Sequence, residues 1–525
     1  MRLWTKQRFG YIAAATALLL LAATGGHAQT VSFAPSATSI DHRYEGGFPF
    51  IVGGGVAAFD CDGDGLPELV FAGGAATAAL YRNVSKPGGE LAFRLAPAAA
   101  LALTEIVGAY PADFDGDGHT DLALLRVGEN VLLRGRGDCG FERANAQWGF
   151  TGGTAWSTGF TATWERGAPW PTIAIANYID RVRPDSTEGA CHNNMLMRPK
   201  ADGRGFAAPL ALSPGHCALS ILFSDWNASG AADLRISNDR QYYRDGEEQL
   251  WRIRPGALPR RYSRGEGWQR LNIWGMGIAS RDITGDGRPE YFLTSMADNK
   301  LRTLAADAGS APTFADIALA RGATAHRPTS GPDQARPSTG WHSAFADVNN
   351  DGHDDIFIVK GNVAAMADFA THDPNVLLLG TADGRFTDTA LDADVASPHS
   401  GRGGAVVDLN GDGRLDIVVV NRQAPVEIWR NTGPAGNWLS VALRQDGGNR
   451  DAIGAWIEVE VGKSRHTREV TIGGGHASGV SAPQHFGLGD VAEARVRVRW
   501  PGSDVWGDWH RVDANRRVTM VRPPR

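Results

Sequence analysis

The sequence predicts an all-β fold: a seven-bladed β-propeller followed by a small β-rich C-terminal domain. Three observations lead there. A short acidic hairpin pattern recurs along the chain, a β-branched run follows each copy, and Gly (66 of 525 residues) is abundant enough for many tight turns.

The pattern is clearest in "DCDGDGLPELVF", where Asp60, Asp62, Asp64 and Glu68 stand at positions 1, 3, 5 and 9 of a Gly-containing loop. It recurs as Asp113, Asp115, Asp117 and Asp121, then as Asp225, Asn227, Ser229 and Asp233. Three further copies carry Asp282, Thr284, Asp286 and Glu290; Asp347, Asn349, Asp351 and Asp355; and Asp408, Asn410, Asp412 and Asp416. The interval from 113 to 225 is double the others, and "TWERGAPWPTIAIANY" (Thr163 to Tyr178) fits its middle as a copy that has lost its acids but kept its strand. Seven units result, one every ~50–65 residues, and a fixed period points to repeated structural units.

Carboxylates so close together repel one another unless a cation lies among them. Oxygens at positions 1, 3, 5 and 9, with a backbone carbonyl at position 7, suit calcium, which takes six to eight oxygens in irregular geometry. Up to six Ca²⁺ ions are therefore expected. An EF-hand would close with a bidentate Glu at position 12. Here that position holds Phe71, Leu124, Ile236, Leu293, Ile358 and Val419, all apolar, and the residues after each loop alternate as strands. Further matching pieces, such as "ALYRN", "QLWRI" and "EIWRN", give each unit about four strands. The segment from Thr30 to Ser39 is expected to complete the last unit.

The loops resemble the calcium sites of FG-GAP or VCBS repeats, as in integrin α-chains. That resemblance implies calcium ligation by the 24 residues named above, weakened where Ser229 and Thr284 replace acids. After "NTGPAGN" the composition changes. The stretches Asn449 to Ala455, Gly473 to Gly475, His485 to Gly489 and Arg497 to Pro501 resemble the ASPIC/UnbV domain, which follows such repeats in cartilage acidic protein and bacterial exported relatives. The expected organisation is a signal peptide at 1–28, a closing segment at 29–45, the propeller at 46–433, the ASPIC/UnbV domain at 437–510 and a tail at 511–525.

Export is read from a basic start (Arg2, Lys6, Arg8), the apolar run Tyr11 to Thr24, and "GHA" before Gln29. The run is too short for a comfortable membrane span, and no other apolar stretch is long enough, so the mature chain is expected to lack one. Four cysteines in an exported chain suggest disulfides, with Cys191–Cys217 favoured by proximity and Cys61–Cys139 left over. The formal charge of −6 becomes about −9 once residues 1–28 are removed, which argues against a nucleic-acid partner.

"GGGHASG" lacks the Gly two residues before Ser478 that a nucleophile elbow requires. His476 and His485 read as turn and surface histidines. Arg495, Arg497 and Arg499 alternate with apolar residues, as on a half-buried strand. No phosphate loop, HExxH or dinucleotide fingerprint occurs. The resulting expectation is a periplasmic or secreted calcium-binding module whose partner is a protein or a glycan. A glycan-cleaving enzyme with a site on the propeller axis, or an assembly factor for another exported protein, are the alternatives.

Overall fold

A computed structural model describes residues 31–38, 40–180, 190–239, 246–364 and 366–524. The expected signal peptide lies outside them. Among the described residues the strands form nine sheets. Seven are antiparallel meanders laid down in chain order. The first runs through Val56–Phe59, Glu68–Phe71, Ala79–Asn83 and Phe93–Ala96. The next five begin with Ile106–Ala112, Ser157–Thr163, Ala218–Ser224, Gly275–Arg281 and Gly340–Ala346. The seventh joins Gly401–Val407, Asp416–Asn421 and Glu427–Asn431 to Phe33–Pro35, so its fourth strand comes from the other end of the chain. Second strands such as Asp355–Lys360 and Asp416–Asn421 are buried along their whole length, which explains their β-branched and apolar runs. First strands of consecutive sheets pack side by side, and that of the seventh packs against that of the first.

The last two sheets belong to the C-terminal module. One orders Gln484–Gly489, Asn437–Arg444 and Arg516–Val521; the other orders Ser464–Glu469, Trp456–Val461, Glu493–Arg499 and His510–Asp513. Their facing sides enclose a separate apolar core that includes Leu439, Ile457, Phe486 and Val496.

The expected seven-bladed β-propeller is corrected here. The protein is an all-β, multi-sheet structure of three- to five-stranded sheets; none closes into a barrel or curls into a propeller blade arrangement. The C-terminal region also contributes to the first sheet. Gly479–Ser481 joins the first sheet as a fifth strand, parallel to Val56–Phe59. Repeat spacing reports how many hairpins a chain makes. It carries no information on how each sheet curls or where a later segment is inserted.

Residues 472–479 thread among the first strands and bond to all seven sheets. Thr161 Oγ1 donates to the Ile472 carbonyl (2.6 Å), Gly474 N to Ile221 O (3.1 Å) and Gly475 N to Ile278 O (2.6 Å). His476 N donates to His342 Nδ1 (3.1 Å), and Ala109 N to Ala477 O (3.1 Å). Ser478 Oγ accepts from Val56 N (3.1 Å) and Gly404 N (3.2 Å). Missing side chains permit the approach: a Cβ on Gly55 would lie 1.8 Å from the Ala477 carbonyl oxygen. His476 and His485 are buried, not on the surface as the sequence suggested. His476 packs on the Trp341 indole, and its Nε2 accepts from Gly53 N (3.1 Å).

Gly55→Ala is expected to lower stability by about 1–3 kcal/mol, read as a drop in melting temperature, because main chain and not a flexible side chain blocks the added methyl. Burial depresses the His342 pKa to about 4, against about 6.5 unfolded. The unfolded chain therefore binds the extra proton first, and stability present above pH 6.5 is lost as pH falls towards 4. The wild-type slope over this window should exceed that of His342→Gln by up to about 1.4 kcal/mol per pH unit in denaturant titrations.

Candidate metal centres at the acidic hairpins

Each of the six acidic loops connects the first two strands of its sheet, and the position-9 acid is the first residue of the second strand: Glu68, Asp121, Asp233, Glu290, Asp355 and Asp416. The chain turns back through a positive φ at position 6, from 80° at Gly287 to 94° at Gly118, which favours glycine.

The end acids of the loops are bound to backbone N–H groups. At position 1, Asp60 accepts from Gly63 N (2.7 Å) and Gly65 N (2.9 Å), Asp113 from Gly116 N (2.8 Å) and Gly118 N (2.9 Å), and Asp282 from Gly285 N (2.8 Å) and Gly287 N (2.9 Å). Asp408 repeats the arrangement, and Asp347 accepts from Asp351 N (3.1 Å) and Gly352 N (2.9 Å). At position 9, one oxygen accepts from the residue after position 1 and the other from the third strand. Asp121 takes Phe114 N (2.7 Å) and Gly135 N (2.8 Å), Asp355 takes Val348 N and Gly380 N (both 2.8 Å), and Asp416 takes Leu409 N (3.0 Å) and Asn431 N (2.9 Å). Glu68 does the same with Cys61 N and Asn83 N. At Glu290 the Thr303 hydroxyl donates on the far side, and Thr284 adds its N–H (3.3 Å) and its hydroxyl (3.2 Å), so both oxygens carry two bonds. These bonds fix the loops, and apart from Glu290 and Asp408 Oδ1, which accepts two N–H groups, each of these carboxylate oxygens keeps a second lone pair.

The electrostatics are unbalanced in the same sense in five loops. Burial, reinforced by neighbouring carboxylates, pushes Glu68, Asp113 and Asp282 up to about 7 and Asp408 up to about 6. Burial raises Asp121, Asp347, Asp355 and Asp416 well above the usual carboxylate range. Oxygens of Asp60, Asp62 and Glu68 lie within 4.8 Å of one another, as do those of Asp113, Asp115 and Asp121. Such all-oxygen clusters can chelate a hard metal ion. Cys61 and Cys139 adjoin Glu68 but are joined to each other, and Cys191 to Cys217, so their sulfurs are not ligands. Arg82 pairs with Asp62, and Arg134 bridges Asp115 and Asp117 (2.7 and 2.6 Å), which partly offsets the charge of the first two loops.

The third loop differs. Asp233 accepts from Trp226 Nε1 (2.9 Å), Tyr262 OH (2.7 Å), Ile253 N (3.1 Å) and Arg254 Nη1 (2.5 Å), which uses all four of its lone pairs. Arg499, from the C-terminal module, lies 3.4 Å from Asp225. Arg254 and Arg499 offset part of this loop's negative charge, while burial still holds the Asp225 pKa above the usual carboxylate value. The substitution of Ser229 was visible in the sequence; the arginines 21 and 274 residues away were not. In the worn unit, Glu165 pairs with Arg198 (2.6 Å) and Thr172 (2.7 Å).

The C-terminal module lies over these loops. Arg517 donates to Gly65 O (3.0 Å), Glu469 accepts from Asp225 N (2.8 Å), and His485 shares a 2.7 Å hydrogen bond with Asn350. A Cβ on Gly116 would lie 2.7 Å from Gly448 Cα, and one on Gly413 1.9 Å from the Trp438 indole. Arg495, Arg497 and Arg499 alternate on their strand as expected, but they stack with Trp506 and Trp509 and pair with Glu458, Glu460 and Asp225.

Residues 60–124 and 347–419 match the FG-GAP-like repeat, and residues 445–524 match the family described as ASPIC and UnbV. The chain carries FG-GAP repeats and a C-terminal ASPIC/UnbV domain. Both are homologous to those of cartilage acidic proteins. Human cartilage acidic protein 1 is 26% identical over 474 residues, covering 85% of this chain and 68% of that protein. The mouse protein is 28% identical over 233 residues, 43% of this chain and 34% of its own length. Among solved structures, BBS1N in complex with ARL6DN aligns over 76% of this chain and 97% of that one, at 9% identity and a TM-score of 0.43, too low to assign a partner. No helix among the described residues is long and apolar enough to cross a membrane.

Positions 9 and 5 should separate in mutagenesis. Asp416→Ala strands two buried N–H groups and is expected to cost about 2–4 kcal/mol even in EDTA. Asp412→Asn keeps its turn and should shift stability by under about 0.5 kcal/mol in EDTA, while weakening metal binding. Chemical denaturation of both variants with and without metal makes the comparison.

Proposed function

We propose that this protein is an exported binding module that loads calcium in its FG-GAP loops and performs no chemistry of its own. The observation that carries this reading is the five-fold recurrence of one acidic hairpin, with end carboxylates oriented by hydrogen bonds and raised in pKa, and with carboxylate oxygens gathered within 4.8 Å of one another in the first two copies. Asp60, Asp62, Asp64 and Glu68 would hold one ion, and the loops at Asp113, Asp282, Asp347 and Asp408 would hold one each. The third loop would hold none, which makes five ions instead of the six expected from sequence. Calcium supplies positive charge among the crowded acids and so braces each hairpin under the ASPIC/UnbV domain. Affinities on the order of 10⁻⁴–10⁻³ M fit an extracellular module.

Two disulfides support an oxidising compartment, either periplasmic or extracellular, with a protein or glycan as partner. A glycan-cleaving site among the first strands is disfavoured by the state of its candidate residues. His342 and His476 each accept a backbone N–H, and Arg402 is buried with its donors on the carbonyls of Ile51, Gly401, Asn362 and Val363.

Calcium at ~100 times Kd should add up to about 2.7 kcal/mol per occupied loop, seen as a higher melting temperature that EDTA reverses. Native mass spectrometry should count five ions. An unchanged transition and no bound metal would end this reading.

A further inference from the structure

The sixth meander holds a buried lysine–aspartate pair at the end away from its acidic loop. Its second strand, Asp355–Lys360, finishes on the lysine, and the connection to its third strand, Val376–Gly380, brings Asp373 alongside. Both side chains are 0% exposed, and Lys360 is the one buried lysine among the described residues. Lys360 Nζ lies 3.4 Å from Asp373 Oδ1. Ser338, just before the first strand, bridges the two: its hydroxyl accepts from Lys360 Nζ (2.6 Å) and donates to Asp373 Oδ1 (2.7 Å). The Thr339 N–H donates to Asp373 Oδ2 (2.6 Å), and Lys360 Nζ also donates to Ala325 O (3.0 Å).

Elsewhere buried acids pair with arginine, as Asp354 does with Arg468 and Asp225 with Arg499. A guanidinium keeps its charge, whereas a buried lysine gives up its proton readily and its free amine is a nucleophile towards carbonyl carbon. Burial lowers the Lys360 pKa and raises that of Asp373, and the charge of each opposes the shift of the other. A proton passed from Nζ through the Ser338 hydroxyl to Oδ1 leaves two neutral groups and takes two charges out of the interior, where they are poorly solvated. The amine and the carboxyl group are then held side by side out of contact with bulk water, a placement that raises their effective concentration by orders of magnitude.

We propose that Lys360 and Asp373 are joined by an intramolecular amide bond that the folded chain forms by itself. Nζ attacks Cγ of Asp373, the C–N bond forms and the Cγ–Oδ1 bond breaks. Oδ1 leaves as water with two of the three protons of the ammonium, relayed by Ser338, and Oδ2 becomes the amide carbonyl on the Thr339 N–H. Nothing is oxidised or reduced, and no co-reactant enters. The bond ties the end of the second strand to the approach of the third and closes the connection 361–375 at its base. The reaction turns over no external substrate, so it stands apart from the calcium reading and neither depends on the other.

The full chain, folded in the cell that makes it, is reduced, denatured and digested with trypsin for mass spectrometry. Trypsin should fail to cut between Lys360 and Gly361, and one peptide carrying both Lys360 and Asp373 should be lighter than its sequence by one water. Pro374 follows Asp373, so closure onto the next backbone N–H cannot account for a water lost at this residue. Lys360→Gln should restore the full mass to the peptide that carries Asp373. Ser338→Ala, shown to be folded by its melting curve, should stay mostly at full mass. A wild-type peptide of full mass, cleavage after Lys360, or a water loss that persists in Lys360→Gln would each overturn the proposal, and complete closure in Ser338→Ala would overturn the proton route. The wild-type measurement decides the bond without any variant having to fold.

Discussion

The interaction on which the rest depends is the capture of a carboxylate by two backbone N–H groups. It occurs at both ends of the same hairpin. At position 1 it bends the loop; at position 9 it ties the loop to the third strand of its sheet. Neither bond requires an ion, so the loop is shaped before any metal arrives. The cost is electrostatic: shaping brings several acids together in a partly buried place, and burial raises their pKa values. A preorganised but charge-frustrated cage is the physical form of a cation site, because the ion relieves a strain that is already present.

The same economy explains the odd member. Where Arg254 and Arg499 reach the third loop, part of the frustration is offset from within the chain, although burial still raises Asp225. Arg499 belongs to the ASPIC/UnbV domain, so at this point the domain itself contributes the balancing charge. At the fifth loop a second ion pair joins them, Arg468 on Asp354, and Arg517 reaches the Gly65 carbonyl of the first. Elsewhere the contacts are neutral, with Gly448 against Gly116, His485 on Asn350 and Trp438 over Gly413, so the domain combines a few charged anchors with close packing on loops whose shape is set locally.

What was legible in the sequence was what is local. Acids at alternate positions before a β-branched run identify the hairpins, and both disulfides pair as proximity and elimination suggested. The curl of the sheets, the five-stranded first sheet and the threaded glycine segment were not legible. They depend on contacts between residues hundreds of positions apart, such as Gly55 with Ala477. His476 reads as a turn histidine because its neighbours are glycines. Those glycines are there so that seven strands can approach the main chain, and the histidine is carried inside with them.

The threaded segment also has a consequence for biogenesis. Residues 472–479 emerge from a ribosome or an export channel after all seven meanders, yet each meander bonds to them. Until they arrive, inward-facing groups such as the N–H of Val56 and the hydroxyl of Thr161 lack their native partners, and Phe33–Pro35 waits for a strand that ends at Asn431. Assembly must therefore be completed by a segment made after all seven meanders. A product cut short before Ile472 would leave seven sheets without the main chain that joins their first strands.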